Sequence, residues 1–450
     1  MSLRRIVWSL LVMALVVAAV VMLSGCEDLF QETTGEDTGS NGGADGSYSN
    51  NPWTDGVDYS GIGISMAGRL PDNLIEDAID EFESETGMTV HYEFTNQGEI
   101  RSSLEGPDAP DLVILPQPGL GAALYDDELL VDVSGALGDD WLERTPDFWR
   151  SLLTEDNGEF GVWLTAAVKS LVWYAKPAFD SAGYEEPQTW AELQSLVTTM
   201  VADGHVAWSV GIESGGGTGW PATDWIEDIV LREEGPSVLD DWVEGNLAFN
   251  STEIRNAFIK LDELWFGAED YVLQDRAGII STSWMGPALA PLFDDPPDAL
   301  MHRQASFAVD WFPEGSEIGT DIDYFILPPA GSAGELDSIL VSGEFIAASN
   351  TDPATMAVMR YFTESEALQT IVEATSHLTP STEVQPDDYP DQWREELAEV
   401  LHDPDTEWRF DSSDLMPPHV GLGVYFTEVT EWIAGNQDLT TTLDNIDAAW

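Results

Sequence analysis

The chain has 450 residues and carries 83 acidic against 16 basic side chains, a formal net charge of −67. That balance excludes a binder of nucleic-acid phosphates, which needs a cationic stripe. With 43% hydrophobic residues and 18 tryptophans it is no disordered acidic tail, and its length suits two domains. The acids are spread along the whole chain and only Lys169, Lys176 and Lys260 are lysines, a composition that predicts a salt-adapted protein. Self-repulsion of this size is screened when the Debye length falls to about 3 Å at molar salt. Fragments such as Asp294-Asp295-Pro296-Pro297-Asp298 lack the spaced oxygen ligands, turn glycine and distal glutamate of a calcium loop, so no metal is expected.

Arg4 and Arg5 precede an apolar run from Ile6 to Leu23, interrupted mainly by Ser9 and followed by small residues. This is the build of an export signal, although the run is also long enough for a retained membrane helix. Leu23-Ser24-Gly25-Cys26 resembles a bacterial lipobox. The resemblance implies a signal peptide over 1–25, cleavage before Cys26 and lipid on the new terminal cysteine, placing the remainder outside the cytoplasmic membrane at the cell surface or in a periplasm. Cys26 is the only cysteine, so the exported fold relies on its core without disulfides. From Gln31 to Asp55 the chain is almost wholly Gly, Ser, Asn, Asp, Thr and Glu. The stretch 26–57 is expected to be a tether, and about 25 residues of flexible coil span roughly 25–30 Å.

Order is expected from Tyr59. Ile62, Ile64 and Met66 alternate as in a strand, and Leu74, Ile75, Ala78, Ile79 and Phe82 form a helical stripe that Gly87 ends. Val90, Tyr92 and Phe94 alternate again, a helix runs through Ile100 and Leu104, and Leu112-Val113-Ile114-Leu115 reads as a strand covered on both faces. The pattern β-α-β-α-β predicts an α/β lobe. A second series follows Gly161. Its strands are expected at Ser170–Tyr174, Trp208–Ile212, Phe307–Trp311, Tyr324–Leu327 and across Ile339–Ala348. Helices are expected after the capping box Thr189-Trp190-Ala191-Glu192, over Trp225–Arg232, through Ile254, Phe258 and Leu261, and from Pro353 onward.

No catalytic signature is present: there is no phosphate loop, no Gly-x-Ser-x-Gly elbow and no His-Glu-x-x-His, and with 83 acids a carboxylate pair is expected by chance. His302, His377 and His402 read as surface residues or partners already satisfied. Tryptophan points elsewhere. Sugars present apolar C–H faces beside hydroxyl edges, so their sites combine flat rings with carboxylates, amides or Arg. Trp220, Trp225, Trp284 and Trp311 stand beside loop or breaker residues; Trp220, between the loop Gly215-Gly216-Gly217-Thr218-Gly219 and a helix start, is the strongest candidate.

Collinear stretches from Tyr59 to Trp450 resemble the extracellular solute-binding proteins of ATP-binding-cassette sugar importers, in particular the α-glucoside branch. They are Pro110 to Gly119, Lys169 to Tyr174, Thr189 to Leu193, Gly219 to Asp228, Met301 to Phe307 and Arg409 to Pro417. The resemblance implies a two-lobed α/β fold of the periplasmic-binding-protein kind, type II topology, with a ligand cleft between the lobes. The first lobe is expected from 58–166 and 332–378, the second from 167–331 and 379–450. It further implies a sugar-binding shell of Asn96, Gln97, Trp220, Asp224, Gly343 and Glu344, with Trp284, Trp311 and Arg409 as further candidates. Arg69 stands where such proteins often carry an aromatic and small polar residues, and so raises the prospect of an acidic or substituted ligand. The expected protein is a lipid-anchored monomer that delivers an oligosaccharide to a membrane permease, with neither cofactor nor catalysis. The competing readings are a secreted glycoside hydrolase using two carboxylates and a structural surface lipoprotein.

Overall fold

The computed structural model describes residues 52–450 except 71, 96, 138–143, 156–157, 332–337 and 405, and leaves the side chains of 52, 72–74, 97 and 136 undescribed. The expected signal peptide, Cys26 and most of the tether lie outside the described residues. Order begins earlier than expected. Trp53 is buried with its ring edge-to-face against Tyr361 at 5.0 Å, and Arg360 donates to the Trp53 carbonyl and pairs with Asp55. Among the described residues, packing thus reaches back to Trp53, inside the stretch expected to be a tether. No helix among the described residues is long and apolar enough to cross a membrane.

In chain order the elements that position the site are β1 (Gly63–Gly68), α1 (Asp72–Thr86), β2 (Thr89–Phe94), β3 (Leu112–Leu115), α2 (Pro118–Asp126), β4 (Val162–Trp163), β5 (Ala167–Val168), β6 (Leu171–Ala175), α3 (Trp190–Ala202), α4 (Trp220–Glu234), α5 (Thr252–Phe266), β7 (Met301–Arg303), β8 (Ile322–Ile326), β9 (Ser338–Ser342), β10 (Phe345–Ala348), α6 (Ser365–Ala374) and β11 (Glu407–Phe410). One sheet has the order β2-β1-β3-β10-β4. In it β1 runs parallel to β2 and β3, while β10 returns antiparallel beside β3, the type II arrangement. Flanked on both sides, β3 is fully buried, as its unbroken apolar run requires. α1 covers this sheet with Ile75, Ala78, Ile79 and Phe82 inward.

Two further sheets, β8-β6-β7 and β11-β9-β5, belong to the second half of the molecule. Thr189 caps α3 by accepting the Glu192 N–H at 3.2 Å, and the Glu192 carboxylate reaches back to the Gln188 N–H at 2.8 Å. α4 starts at Trp220, five residues before the expected helix, and is buried from Pro221 to Arg232. Its polar residues Asp224, Glu227, Asp228 and Arg232 therefore lie inside the protein.

Three expectations need correction. Trp208–Ile212 is not a strand; Trp208 makes only single bridges to Val272 and Met301. Phe307–Trp311 lies in a 3-10 helix over Ser306–Trp311, which buries Ala308 and leaves Phe307 and Trp311 partly open. Ile339–Ala348 is two strands in two different sheets, β9 and β10, with Gly343 and Glu344 between them. A Cβ on Gly343 would stand 2.2 Å from the Thr165 carbonyl oxygen, so a backbone approach that only glycine permits makes the crossing.

The apolar side chains form two cores, giving a two-lobed α/β protein. The first surrounds the β1–β3 sheet. The second is built on Trp190, Trp208, Trp225, Trp242 and Trp265.

Candidate ligand-binding cleft

The C-terminal ends of β1, β2 and β3 deliver Arg69, Phe94 and Gln117 to one wall of a cleft of about 500 Å³. The opposite wall comes from the loop before α4 and from the segments around 284 and 307–311. The crossing between β9 and β10 contributes Ser342, Gly343 and Glu344, and the turn after β11 contributes Asp411 and Asp414. Ligand sites at the carboxyl ends of strands are the rule for open α/β sheets.

The aromatic wall is continuous. Trp220 and Trp284 meet at 4.9 Å between ring centres, Trp284 and Trp311 at 4.7 Å, and Phe307 lies within 6.3 Å of all three. Trp220 is aimed by its neighbour. Gly219 has φ +117°, and a Cβ there would stand 2.6 Å from the Phe426 carbonyl oxygen, so glycine alone makes the turn that opens α4 at Trp220. Facing these rings are Gln117, Glu344 and His377. Gln117 Oε1 and His377 Nδ1 are buried without a hydrogen-bond partner, and His377 Nδ1 is 3.7 Å from Glu344 Oε2. Thr165 donates to the Glu344 carboxylate and fixes its direction.

Under the cleft lies a buried ionic group. Lys169 Nζ donates to Asp224 at 3.0 Å and to Asp411, and sits 5.1 Å from the centre of the Trp220 ring. Arg303 contacts Asp224 at 3.7 Å and Asp228 at 3.0 Å, and Arg232 Nε lies 3.3 Å from Asp228. Burial acts to raise Asp411, but the Lys169 ammonium outweighs it and holds that carboxyl down at about 2. Burial, only partly offset by Lys169, pushes Asp224 up to about 7. Burial and the Asp411 charge hold Glu227 and Asp414 well above the usual carboxylate range. Three cations, Lys169, Arg232 and Arg303, are thus buried among the carboxyl groups of Asp224, Glu227, Asp228, Asp411 and Asp414. Glu227 accepts from the N–H groups of Ser412 at 2.7 Å and Ser413 at 3.2 Å, tying α4 to the turn after β11. Carboxylate oxygens of Asp224, Glu227 and Asp411 lie within 4.8 Å of one another, a donor set able to hold a cation. The Lys169 ammonium already lies against two of the three.

Of the residues singled out from the sequence, Arg69, Trp220, Trp284, Trp311, Gly343 and Glu344 line the cleft. Asp224 does not: it is fully buried beneath the floor, bonded to Lys169. Arg409 is also elsewhere, its guanidinium gripping Asp240 at 2.6 and 2.8 Å. Asn96 and the side chain of Gln97 lie outside the described residues. His377, read from the sequence as a surface or satisfied residue, is buried on the cleft wall. Lys169, Asp411 and Asp414 were missed as site residues. The faint signal was a lysine just before a buried strand in a chain with only three lysines.

Two α/β lobes with a ring-lined, polar cleft define a binding protein of the periplasmic type. The model of the family described as bacterial extracellular solute-binding protein matches residues 67–369, and the chain belongs to that family, whose members are ligand-capturing components of ATP-binding-cassette importers. It is 34% identical over 382 residues to the osmoprotective compounds-binding protein GgtB of Synechocystis sp., covering 84% of this chain and 89% of that protein. It is also 34% identical over 385 residues to the alpha-glucosides-binding periplasmic protein AglE of Rhizobium meliloti, covering 82% of each. Among solved structures, the bacterial solute receptor AcbH aligns with TM-score 0.74 at 18% identity, covering 86% of this chain and 97% of AcbH. A chitin oligosaccharide binding protein aligns with TM-score 0.72 at 15% identity, covering 86% and 97%. The two-lobed fold is thus shared with these structures.

Proposed function

We propose that the cleft captures a neutral α-glucoside and that closure of the lobes prepares it for delivery to a membrane permease. The observation that carries this reading is the wall of Trp220, Trp284 and Trp311 facing the Gln117 and His377 atoms that lack partners. Rings stack on the C–H faces of a sugar while the polar atoms take its hydroxyls. The name of one 34%-identical relative, the alpha-glucosides-binding periplasmic protein AglE, supports this ligand class. The charge argues for neutrality. Asp310, Glu344, Asp411 and Asp414 line the cleft against Arg69 and Lys169, and Lys169 is already matched by Asp224 and Asp411. Arg69 alone is therefore a weak case for an acidic ligand. Calorimetric titration tests this: neutral α-glucosides bind, and the corresponding uronides do not. Tighter binding of a uronide would reverse the assignment.

The chain works as a monomer that performs no chemistry, held outside the cytoplasmic membrane by lipid on Cys26 and by the tether behind it. A glycoside hydrolase is disfavoured because Asp411 is committed to Lys169 and Ser413, and Glu344 to Thr165. The net charge of −67 makes the fold salt-dependent. Its melting temperature rises as the Debye length shrinks from about 10 Å at 0.1 M to about 3 Å at 1 M salt. A melting temperature that stays flat over that range would count against salt adaptation.

A further inference from the structure

A second cavity of about 820 Å³ adjoins the cleft, and Asp310 and Ala374 belong to the lining of both. Two backbone segments make the partition. In one, Val309 faces the second cavity, Asp310 both and Trp311 the cleft; in the other, Ala374 faces both, Ser376 the second cavity and His377 the cleft. A ligand filling the cleft between Trp311 and His377 thus ends at the mouth of the second cavity. The chemistry repeats there. Trp393 supplies an aromatic ring, and Tyr324 and Glu396 supply polar groups 3.4 Å apart. Ser376, only 5% exposed, has a buried hydroxyl with no hydrogen-bond partner. The cavity's one cation, Arg394, is taken up by Asp391 and by the carbonyls of Val372 and Thr375, so nothing there attracts an anion.

We propose that this cavity is an extension subsite that receives the distal units of an α-linked oligosaccharide whose first units occupy the cleft. The proposal rests on the sugar reading of the cleft and deepens it by setting the length of ligand accepted. An aromatic ring, hydroxyl acceptors and an unsatisfied buried hydroxyl are what a further pyranose unit needs. The shared Asp310–Ala374 border supplies the continuity that an independent site would lack.

The test is calorimetric titration of the full chain with maltose, maltotriose and maltotetraose at high salt. Affinity is expected to rise with length, and Trp393→Ala to weaken maltotetraose about tenfold, the scale of one lost ring contact, with maltose changed less than about twofold. Because Trp393 also meets Trp173 at 6.3 Å, a second variant is placed at the exposed border residue, Ala374→Trp, which narrows the passage without touching the core and removes the same length dependence. Maltose binding with no gain for longer sugars, or variants that weaken every length equally, would overturn the extension subsite while leaving the cleft assignment standing. Failure of all three to bind would overturn the extension subsite, and failure of every other α-glucoside as well would overturn the cleft assignment.

Discussion

Trp220→Ala weakens α-glucoside binding about 100-fold, close to 2.8 kcal/mol, while the protein stays folded. The ring stands at the first position of α4, half-exposed, at one end of the tryptophan wall and beside the Lys169 ammonium. Its removal strips the ligand of a stacking surface and leaves a gap that water fills. The helix keeps its start, because Gly219 and Pro221 fix the backbone there. Lys169 keeps Asp224 and Asp411 when the ring is gone, so stability is largely preserved. Titration calorimetry and a thermal melt in the same high-salt buffer read the two effects separately. Unchanged affinity in the variant would remove Trp220 from the site.

Lys169→Met destabilises the fold by about 3–5 kcal/mol, the loss associated with stranding a buried charge. Asp224 and Asp411 then face each other in a region with almost no water, with Arg303 3.7 Å from Asp224 as the nearest remaining cation on that side. The sign of the pH dependence separates this from a packing defect. In the wild type, Asp411 is held below its ordinary value of 3.8, so its contribution is present above that value and is lost as pH falls toward about 2. Without the lysine, burial and Asp224 raise Asp411 above its unfolded value. The folded variant then binds the extra proton, and its deficit against wild type shrinks as pH falls from 7 toward 5. Denaturant unfolding at the two pH values measures this; a deficit independent of pH would mean that the lost methylene contacts, not the charge, dominate.

The α/β pattern of the first lobe was legible because β3 and α1 obey simple rules: four apolar residues covered on both faces, and a stripe recurring every three or four positions. Where the sequence misled, a local pattern had been overruled from a distance. Ile339–Ala348 reads as one apolar strand, and only the Thr165 carbonyl pressed against Gly343 shows that it changes sheets. Phe307–Trp311 has strand composition but takes a 3-10 turn that aims two rings at the cleft. In the cleft lining, the tryptophans stood out because loop or breaker residues flank them. Asp224, expected in the sugar-binding shell, lies beneath the cleft and holds the lysine under Trp220. Arg409 was misassigned because its partner Asp240 stands 169 residues away. His377 carries no local signature at all; its position depends on α6 ending where the two cavities meet.

The central claim is that the cleft holds a sugar without altering it. One measurement tests it most directly: stoichiometric titration of the full chain with a neutral α-glucoside at molar salt, followed by chromatography of the same mixture after prolonged incubation. The expected result is saturable binding at one sugar per chain, weakened about 100-fold in Trp220→Ala, with the glycoside recovered intact. Release of glucose, or failure of every α-glucoside to bind the folded protein, would contradict it.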